Sequence, residues 1–148
     1  MNIIKKHYIK KFIKTIDKDI KVKFQKYDME CDVYDDIVYI GEIREKETID
    51  PLFMKFVHEL NPNCNCSCFL LSILHEVGHI MTFDEDNMDE KEFLHQMIRM
   101  GMTCGDMSLE EGNEAYFRIP LEKEATQWAV DFVMLNPDFI KKYEWLSK

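Results

Sequence analysis

Apolar residues near the start of the chain recur at helical spacing and then change to alternation. Tyr8, Phe12 and Ile16 lie four residues apart, with lysines between them. This spacing predicts an amphipathic helix over about residues 2–16. Apolar and polar residues then alternate over 20–25, which predicts a half-buried strand.

Two short apolar runs follow, one on each side of a pair of aspartates. Val33-Tyr34 precedes Asp35-Asp36, and residues 37–40 come after it. β-Branched and aromatic residues favour strands, and paired aspartates favour a turn. The pattern predicts two short strands joined by a tight turn, with the second strand ending at Gly41.

The remainder of the chain is predicted to be mostly helical. Asp50-Pro51 has the form of an N-cap followed by proline at the first helical position. The predicted helices cover residues 50–60, 67–82, 89–100, 120–135 and 137–146. Residues 101–119 are expected to be irregular or to contain one short helix. A helix, a small sheet and further helices, without a linker, predict a single α+β domain over residues 1–148.

The segment His75-Glu76-Val77-Gly78-His79 places two histidines four residues apart in a predicted helix. Residues at this spacing lie one turn apart on the same helix face, so both imidazoles can bind one ion. Catalytic zinc has three protein ligands and keeps a fourth position for water. Glu76 is then placed to remove a proton from that water. The motif predicts a zinc site with His75 and His79 as ligands and Glu76 as general base.

The third zinc ligand must come from elsewhere in the chain. The metzincin pattern requires a glycine and a third histidine where this chain has Thr82 and Glu85, so that class is excluded. A carboxylate from the cluster Asp84, Glu85 and Asp86 is one alternative. Because these residues follow the motif helix directly, they are expected to form its solvated exit turn.

A later helix offers the preferred third ligand. Glu122 shares its helix face with Ala125, Thr126 and Ala129, small residues that allow close approach to the motif helix. Glu124, the second choice, has the bulkier Trp128 on its own face. Carboxylates are also favoured near a helix N-terminus without any ligand role. We expect Glu122 to complete the site.

The two motifs together resemble the ImmA/IrrE group of small gluzincin metallopeptidases. Those proteins typically show His-Glu-x-Gly-His and then Glu-x-x-Ala-Asn-x-Phe-Ala. Glu122, Ala125 and Ala129 match, whereas Thr126 replaces the asparagine and Trp128 the phenylalanine. The resemblance covers about residues 65–136. It implies a zincin-like fold, a bound Zn²⁺ and cleavage of a specific intracellular protein, such as a repressor of a phage or mobile element.

Zincins usually add a hydrogen-bond donor for the negatively charged oxygen that forms during hydrolysis. Tyr116 is the first candidate because it lies just before the ligand helix, and Arg118 and His95 are the others. The substrate is expected to lie along an exposed strand edge at Ile37–Ile40.

The sequence also gives expectations for two other histidines and for the methionines. His7 and His58 are expected to face solvent and to take no part in the site. Most of the ten methionines should fill the core, but three near the cleft could form an adaptable binding surface. These three are Met97, Met100 and Met102.

The cysteines indicate a reducing compartment. Their number is odd, and the N-terminus lacks the features of a signal peptide. The five are Cys31, Cys64, Cys66, Cys68 and Cys104. The spacing of the middle three differs from that of zinc ribbons, so we expect a reduced, partly buried turn there. A cytoplasmic protein without a membrane-spanning segment is predicted.

Charge is distributed unevenly along the chain. Residues 1–26 contain nine lysines and two aspartates, a formal charge of +7, so the rest carries −16 of the total −9. A net acidic chain makes nucleic-acid binding an improbable main function. The basic segment is expected to be the solvated face of the first helix, although it could contact an anionic partner.

Two other functions compete with a protease. A zinc-binding adaptor or inhibitor would keep the ligands without turnover, and a structural helix would bind no metal. Glu76 favours the enzyme, because zinc binding alone needs only the ligands. The sequence leaves the substrate and the oligomeric state open.

Overall fold

The computed structural model describes residues 1–43, 49–103, 105 and 108–148. It is a mostly helical α+β structure with a small mixed sheet. Cys104 and the side chain of Met102 lie outside the described part. Within that part, no helix is both long and apolar enough to cross a membrane.

The first half of the chain forms one helix and the sheet. Helix α1 spans Ile3–Ile16, and its N-cap Asn2 accepts a hydrogen bond from the main-chain nitrogen of Lys5. The strands are β1 (Lys21–Tyr27), β2 (Glu30–Asp32) and β3 (Ile37–Ile43). The first helix and the first strand were therefore predicted close to their observed positions.

Strand β3 lies in the middle of the sheet. It pairs in parallel with β1 and antiparallel with β2. The expectation that Ile37–Ile40 forms an exposed edge for substrate is therefore wrong, because both edges of β3 are hydrogen-bonded. Val38 and Ile40 are fully buried in the core. Of the two outer strands, β2 makes the more extensive contact with the motif helix.

The hairpin also differs from the prediction. Val33-Tyr34 belongs to the turn, and the strand before it ends at Asp32. The Asp32 carboxylate accepts hydrogen bonds from the main-chain nitrogens of Tyr34 and Asp35, both at 3.1 Å. These hydrogen bonds to the Asp32 side chain hold Val33-Tyr34 in a turn, so the two residues do not pair as a strand.

Helices make up the second half of the chain. They are α2 (Ile49–Leu60), α3 (Cys68–Met81), α4 (Met88–Thr103), α5 (Leu109–Arg118), α6 (Pro120–Leu135) and α7 (Pro137–Tyr143). Short 3-10 turns cover Glu85–Asn87 and Glu144–Ser147. Helix α2 begins one residue before the predicted N-cap Asp50, and α4 continues past the predicted stop at Gly101. The single short helix considered for 101–119 is α5.

Helix α3 lies at the centre of the molecule. Ser67 caps it by accepting a hydrogen bond from the main-chain nitrogen of Leu70, and residues from Phe69 to His79 are largely buried. One side of α3 packs on α6, and another faces β2 and β3. The helix that carries His75 and His79 is therefore held on both sides.

Gly78 allows α3 and α6 to approach closely. A Cβ atom at this position would lie 2.4 Å from the main-chain oxygen of Ala125 on α6. Real Cβ atoms do not come this close to a carbonyl oxygen, so the backbones could not keep this spacing with a larger residue. We call this contact between α3 and α6 the seam. Ala125 and Ala129 line the seam and are fully buried.

Candidate metal centre

His75, His79 and Glu122 converge on one buried point between α3 and α6. The Nε2 atoms of the two histidines are 3.1 Å apart. Oε2 of Glu122 lies 2.8 Å from Nε2 of His75 and 3.3 Å from Nε2 of His79. Ligands at about 2.0–2.1 Å from a tetrahedral zinc ion are roughly 3.3 Å apart, so this triangle is close to the required size.

Thr126 determines which nitrogen of His75 faces this point. Its Oγ1 donates to the main-chain oxygen of Glu122 at 2.8 Å and lies 3.0 Å from Nδ1 of His75. Because the hydroxyl proton is already used, we assign the second contact as a hydrogen bond donated by Nδ1 of His75. Nε2 is then the ring nitrogen that faces the cluster: it donates to the Glu122 carboxylate while it carries a proton, and it can bind a metal ion once that proton is lost.

The cluster has the electrostatics of a cation site. Burial acts to raise the pKa of Glu122, but hydrogen bonding to His75, His79 and His95 holds it well below its usual value. The carboxylate is therefore ionised. An ionised carboxylate and imidazole lone pairs this close together require a shared proton or a metal ion between them. Two imidazoles and one carboxylate are a donor set that suits zinc, so the residues fit the predicted metal.

His95 and Tyr116 both hydrogen-bond to the Glu122 carboxylate, and His95 does so at the oxygen that does not face the other two histidines. Nε2 of His95, on α4, lies 3.2 Å from Oε1 of Glu122 and 3.2 Å from the hydroxyl of Tyr116. Burial and then the charge of Glu122 raise the pKa of Tyr116 above its usual value, so its hydroxyl remains a donor. Two of the three candidate oxyanion donors therefore lie beside the cluster.

Glu76 is half-buried and faces the sheet rather than the solvent side of α3. Burial raises its pKa to about 7, opposed by the nearby charge of His79. The thiol of Cys31, on β2, hydrogen-bonds to Glu76, and burial followed by the charge of Glu76 raises the thiol pKa. Strand β2 thus contributes a side chain directly to the candidate general base.

The remaining candidate residues lie outside the cluster. Glu124 is exposed, and Arg118 is an exposed partner of Glu59 at 2.8 Å. Within the described part of the chain, the ligand cluster includes no residue of Asp84–Asp86. His7 and His58 are exposed, as expected.

Within the described residues, no two cysteines are joined by a disulfide. Cys64 and Cys66 are buried, whereas Cys68 is half-buried. Among the described residues, none of these cysteines belongs to the cluster of possible metal ligands. Burial, followed by the charge of Glu144, raises the pKa of the Cys66 thiol, so it remains protonated. The turn before α3 is a packed structural segment.

Two residues whose side chains support this site were not assigned that role from the sequence. Thr126 lies four residues after Glu122, at the position where the ImmA/IrrE pattern has asparagine, so a signal was available. Cys31 lies far from the motif along the chain, and no local pattern connects it to Glu76. Comparison of the chain with protein-family models, with curated proteins and with solved structures finds no match.

Proposed function

We propose that this protein is a zinc-dependent endopeptidase that hydrolyses peptide bonds of a specific protein. The convergence of His75, His79 and Glu122, with Glu76 beside them, carries the proposal. Structural zinc sites are usually closed by four protein ligands. The three-residue cluster in the described chain instead corresponds to a catalytic site with one open position.

The chain's own side chains have distinct roles in the proposed reaction. Zinc would supply Lewis-acid polarisation of the scissile carbonyl and would lower the pKa of a bound water. Glu76 accepts the proton of the attacking water and passes it to the leaving amine. A nearby cation favours its ionised, basic form although burial raises its pKa.

Tyr116 and His95 are the proposed donors to the developing oxyanion. Both are already within hydrogen-bonding distance of the ligand carboxylate. Each would turn its hydrogen bond from the Glu122 carboxylate to the oxyanion, and loss of an oxyanion donor typically costs about 10²–10³ in rate. Tyr116 remains the first candidate, since its hydroxyl stays protonated.

Strand β2 is the proposed binding edge for the substrate, replacing β3. Within the described residues it pairs only with β3, which leaves its other edge without a strand partner. Its residue Cys31 points toward Glu76, so a peptide added to this edge passes the candidate general base. Addition of a strand supplies main-chain hydrogen bonds that hold a peptide extended.

The resemblance to the ImmA/IrrE group supports a regulatory protein as substrate, such as a repressor of a phage or mobile element. The alternative is a catalytically silent zinc-binding adaptor or inhibitor. Both readings require the metal ligands, and only the enzyme requires Glu76.

The test compares the wild-type protein with Glu76→Gln and with Glu124→Gln, a matched change at an exposed carboxylate. Zinc content is measured on the purified proteins, and new protein N-termini are identified by mass spectrometry in cells expressing each one. We expect all three to bind zinc and only Glu76→Gln to lack the new N-termini. If Glu76→Gln keeps full biological activity and its cells show the same N-termini as the wild type, the enzyme proposal is wrong and the adaptor is favoured.

A further inference from the structure

The outward side of α1 combines exposed apolar residues with lysines. Ile3 and Ile4 are 86% and 65% exposed, and Tyr8 packs edge-on against the partly exposed Trp145 at 5.2 Å. Lys11 and Lys14 are exposed on the same side of the helix. We call these residues the basic face.

The outward side of α4 has the opposite charge. Leu94, Met97 and Met100 are 37%, 53% and 65% exposed. Exposed acidic residues lie in the preceding turn and the first turns of the helix: Glu85, Asp86, Asp89 and Glu92. Arg99 is exposed further along α4, so among the described side chains the acids outnumber the bases by four to one. We call the apolar strip and these acids the acidic face.

The two faces belong to different parts of the molecule. Helix α1 packs through Phe12 on Phe139 and Tyr143 of α7. Helix α4 packs on α5 and α6 and brings His95 to Glu122. In each helix, the side opposite the outward face packs against the rest of the molecule. The outward face itself therefore remains accessible to a binding partner.

We propose that the basic face of one molecule binds the acidic face of a second copy of this chain. Both faces present exposed isoleucine, leucine or methionine side chains whose burial is favourable. Their charges are complementary, which steers association and fixes the partner. Methionine side chains adapt their shape to the surface they contact.

A second copy in this arrangement is favoured over a dimer built on either face alone. In a two-fold dimer whose axis passes through one of the two faces, that face would meet itself, and lysines or carboxylates would be placed opposite like charges. A head-to-tail contact instead places unlike charges together and leaves one face free at each end. Such contacts produce a ring if the rotation closes and an open chain if it does not. This inference goes beyond the proposed peptidase and does not depend on zinc binding.

The experiment uses the untagged full chain and two variants, each with one face disabled. Lys11→Glu with Lys14→Glu reverses the basic face, and Met97→Ser with Met100→Ser removes much of the apolar strip. Lys123→Glu and Leu135→Ser are matched controls at exposed positions of α6. Sedimentation velocity is measured over a concentration series at about 0.1 M and about 1 M salt, where the Debye length falls from about 10 Å to about 3 Å.

We expect the wild type and the controls to associate at low salt and to dissociate at high salt. Each one-face variant should associate at least about tenfold more weakly on its own, since like charges or polar groups then meet the partner. A mixture of the two variants should form a one-to-one dimer that grows no further, because each retains the face that the other lacks. The dimer would also show that both variants are folded.

Three results would overturn the proposal. They are a wild-type protein that stays monomeric throughout the series, one-face variants that associate like the wild type, and a variant mixture that forms no dimer. Proteolysis and zinc content are read separately, so failure of the assembly leaves the peptidase proposal intact, and the reverse also holds.

Discussion

Glu122 and Glu124 are two residues apart on α6, and a helix turns about 200° between such positions. Glu122 is therefore buried beside the imidazoles, whereas Glu124 is exposed. We predict that Glu122→Gln weakens zinc affinity by more than about 100-fold, beyond the typical effect of losing a residue that supports a ligand. Glu124→Gln should bind like the wild type. Competition with a zinc-binding dye measures both, and equal affinities for the two variants would contradict the assigned ligand.

Thr126 is predicted to support the site without touching the metal. Thr126→Val keeps the shape but removes the acceptor for Nδ1 of His75, which is otherwise bonded at 3.0 Å. Loss of such a partner typically lowers metal affinity by about 10–100-fold. Thr126→Ser keeps the hydroxyl and should retain most of the affinity in the same dye competition. A valine variant with wild-type affinity would show that this hydrogen bond does not orient His75.

At the scale of helices, the contact of α3 with α6 depends on Gly78. Alanine is normally the better helix former by about 1 kcal/mol. Here its Cβ would meet the oxygen of Ala125 at 2.4 Å, and forced overpacking typically costs about 1–3 kcal/mol. We predict that Gly78→Ala lowers the free energy of unfolding and weakens zinc binding, because the helices that carry the ligands must separate.

Urea unfolding and dye competition test this prediction. Met81→Ala is the control, since Met81 is 44% exposed on the same helix and its loss leaves the seam unchanged. A stabilised Gly78→Ala variant with intact zinc affinity would mean that the backbone seam can relax.

The sequence predicted the helices that carry the site because both of their ends have local signals. Pro120 marks the start of α6, and α3 was predicted to within one residue at each end. The third ligand followed from small residues on one helix face. Helix ends and helix faces depend on residues that are close together along the chain, so they can be recognised in the sequence.

Elements that depend on distant partners were predicted less well. Strand β2 has only three residues, two of them acidic, and exists because it pairs with β3. Gly101 does not end α4, since a glycine is tolerated inside a helix at a cost of about 1 kcal/mol. Helix α5 did have a signal, the capping box of Ser108 and Glu111, which the pattern of apolar residues alone did not reveal.

On the scale of the whole molecule, the candidate site joins separate parts of the chain. α3 supplies the histidines and α6 the carboxylate, while α4 and α5 hold that carboxylate through His95 and Tyr116. A metal ion bound at this point would therefore link the packing of several helices. Stability of the fold and occupancy of the site should change together.

Removal of zinc is accordingly predicted to lower the melting temperature. An ion that binds only the folded state stabilises it by about 4 kcal/mol when its concentration is a thousand times the dissociation constant. For a chain of 148 residues, each 1 kcal/mol corresponds to roughly 2–4 °C, so excess zinc should raise the melting temperature by about 10 °C over the chelated protein. Calorimetry with zinc and with a chelator measures the shift. The shift should disappear in Glu122→Gln and persist in Glu124→Gln. If the melting temperature of the wild type is the same with zinc and with chelator, the fold is not stabilised by a bound metal ion.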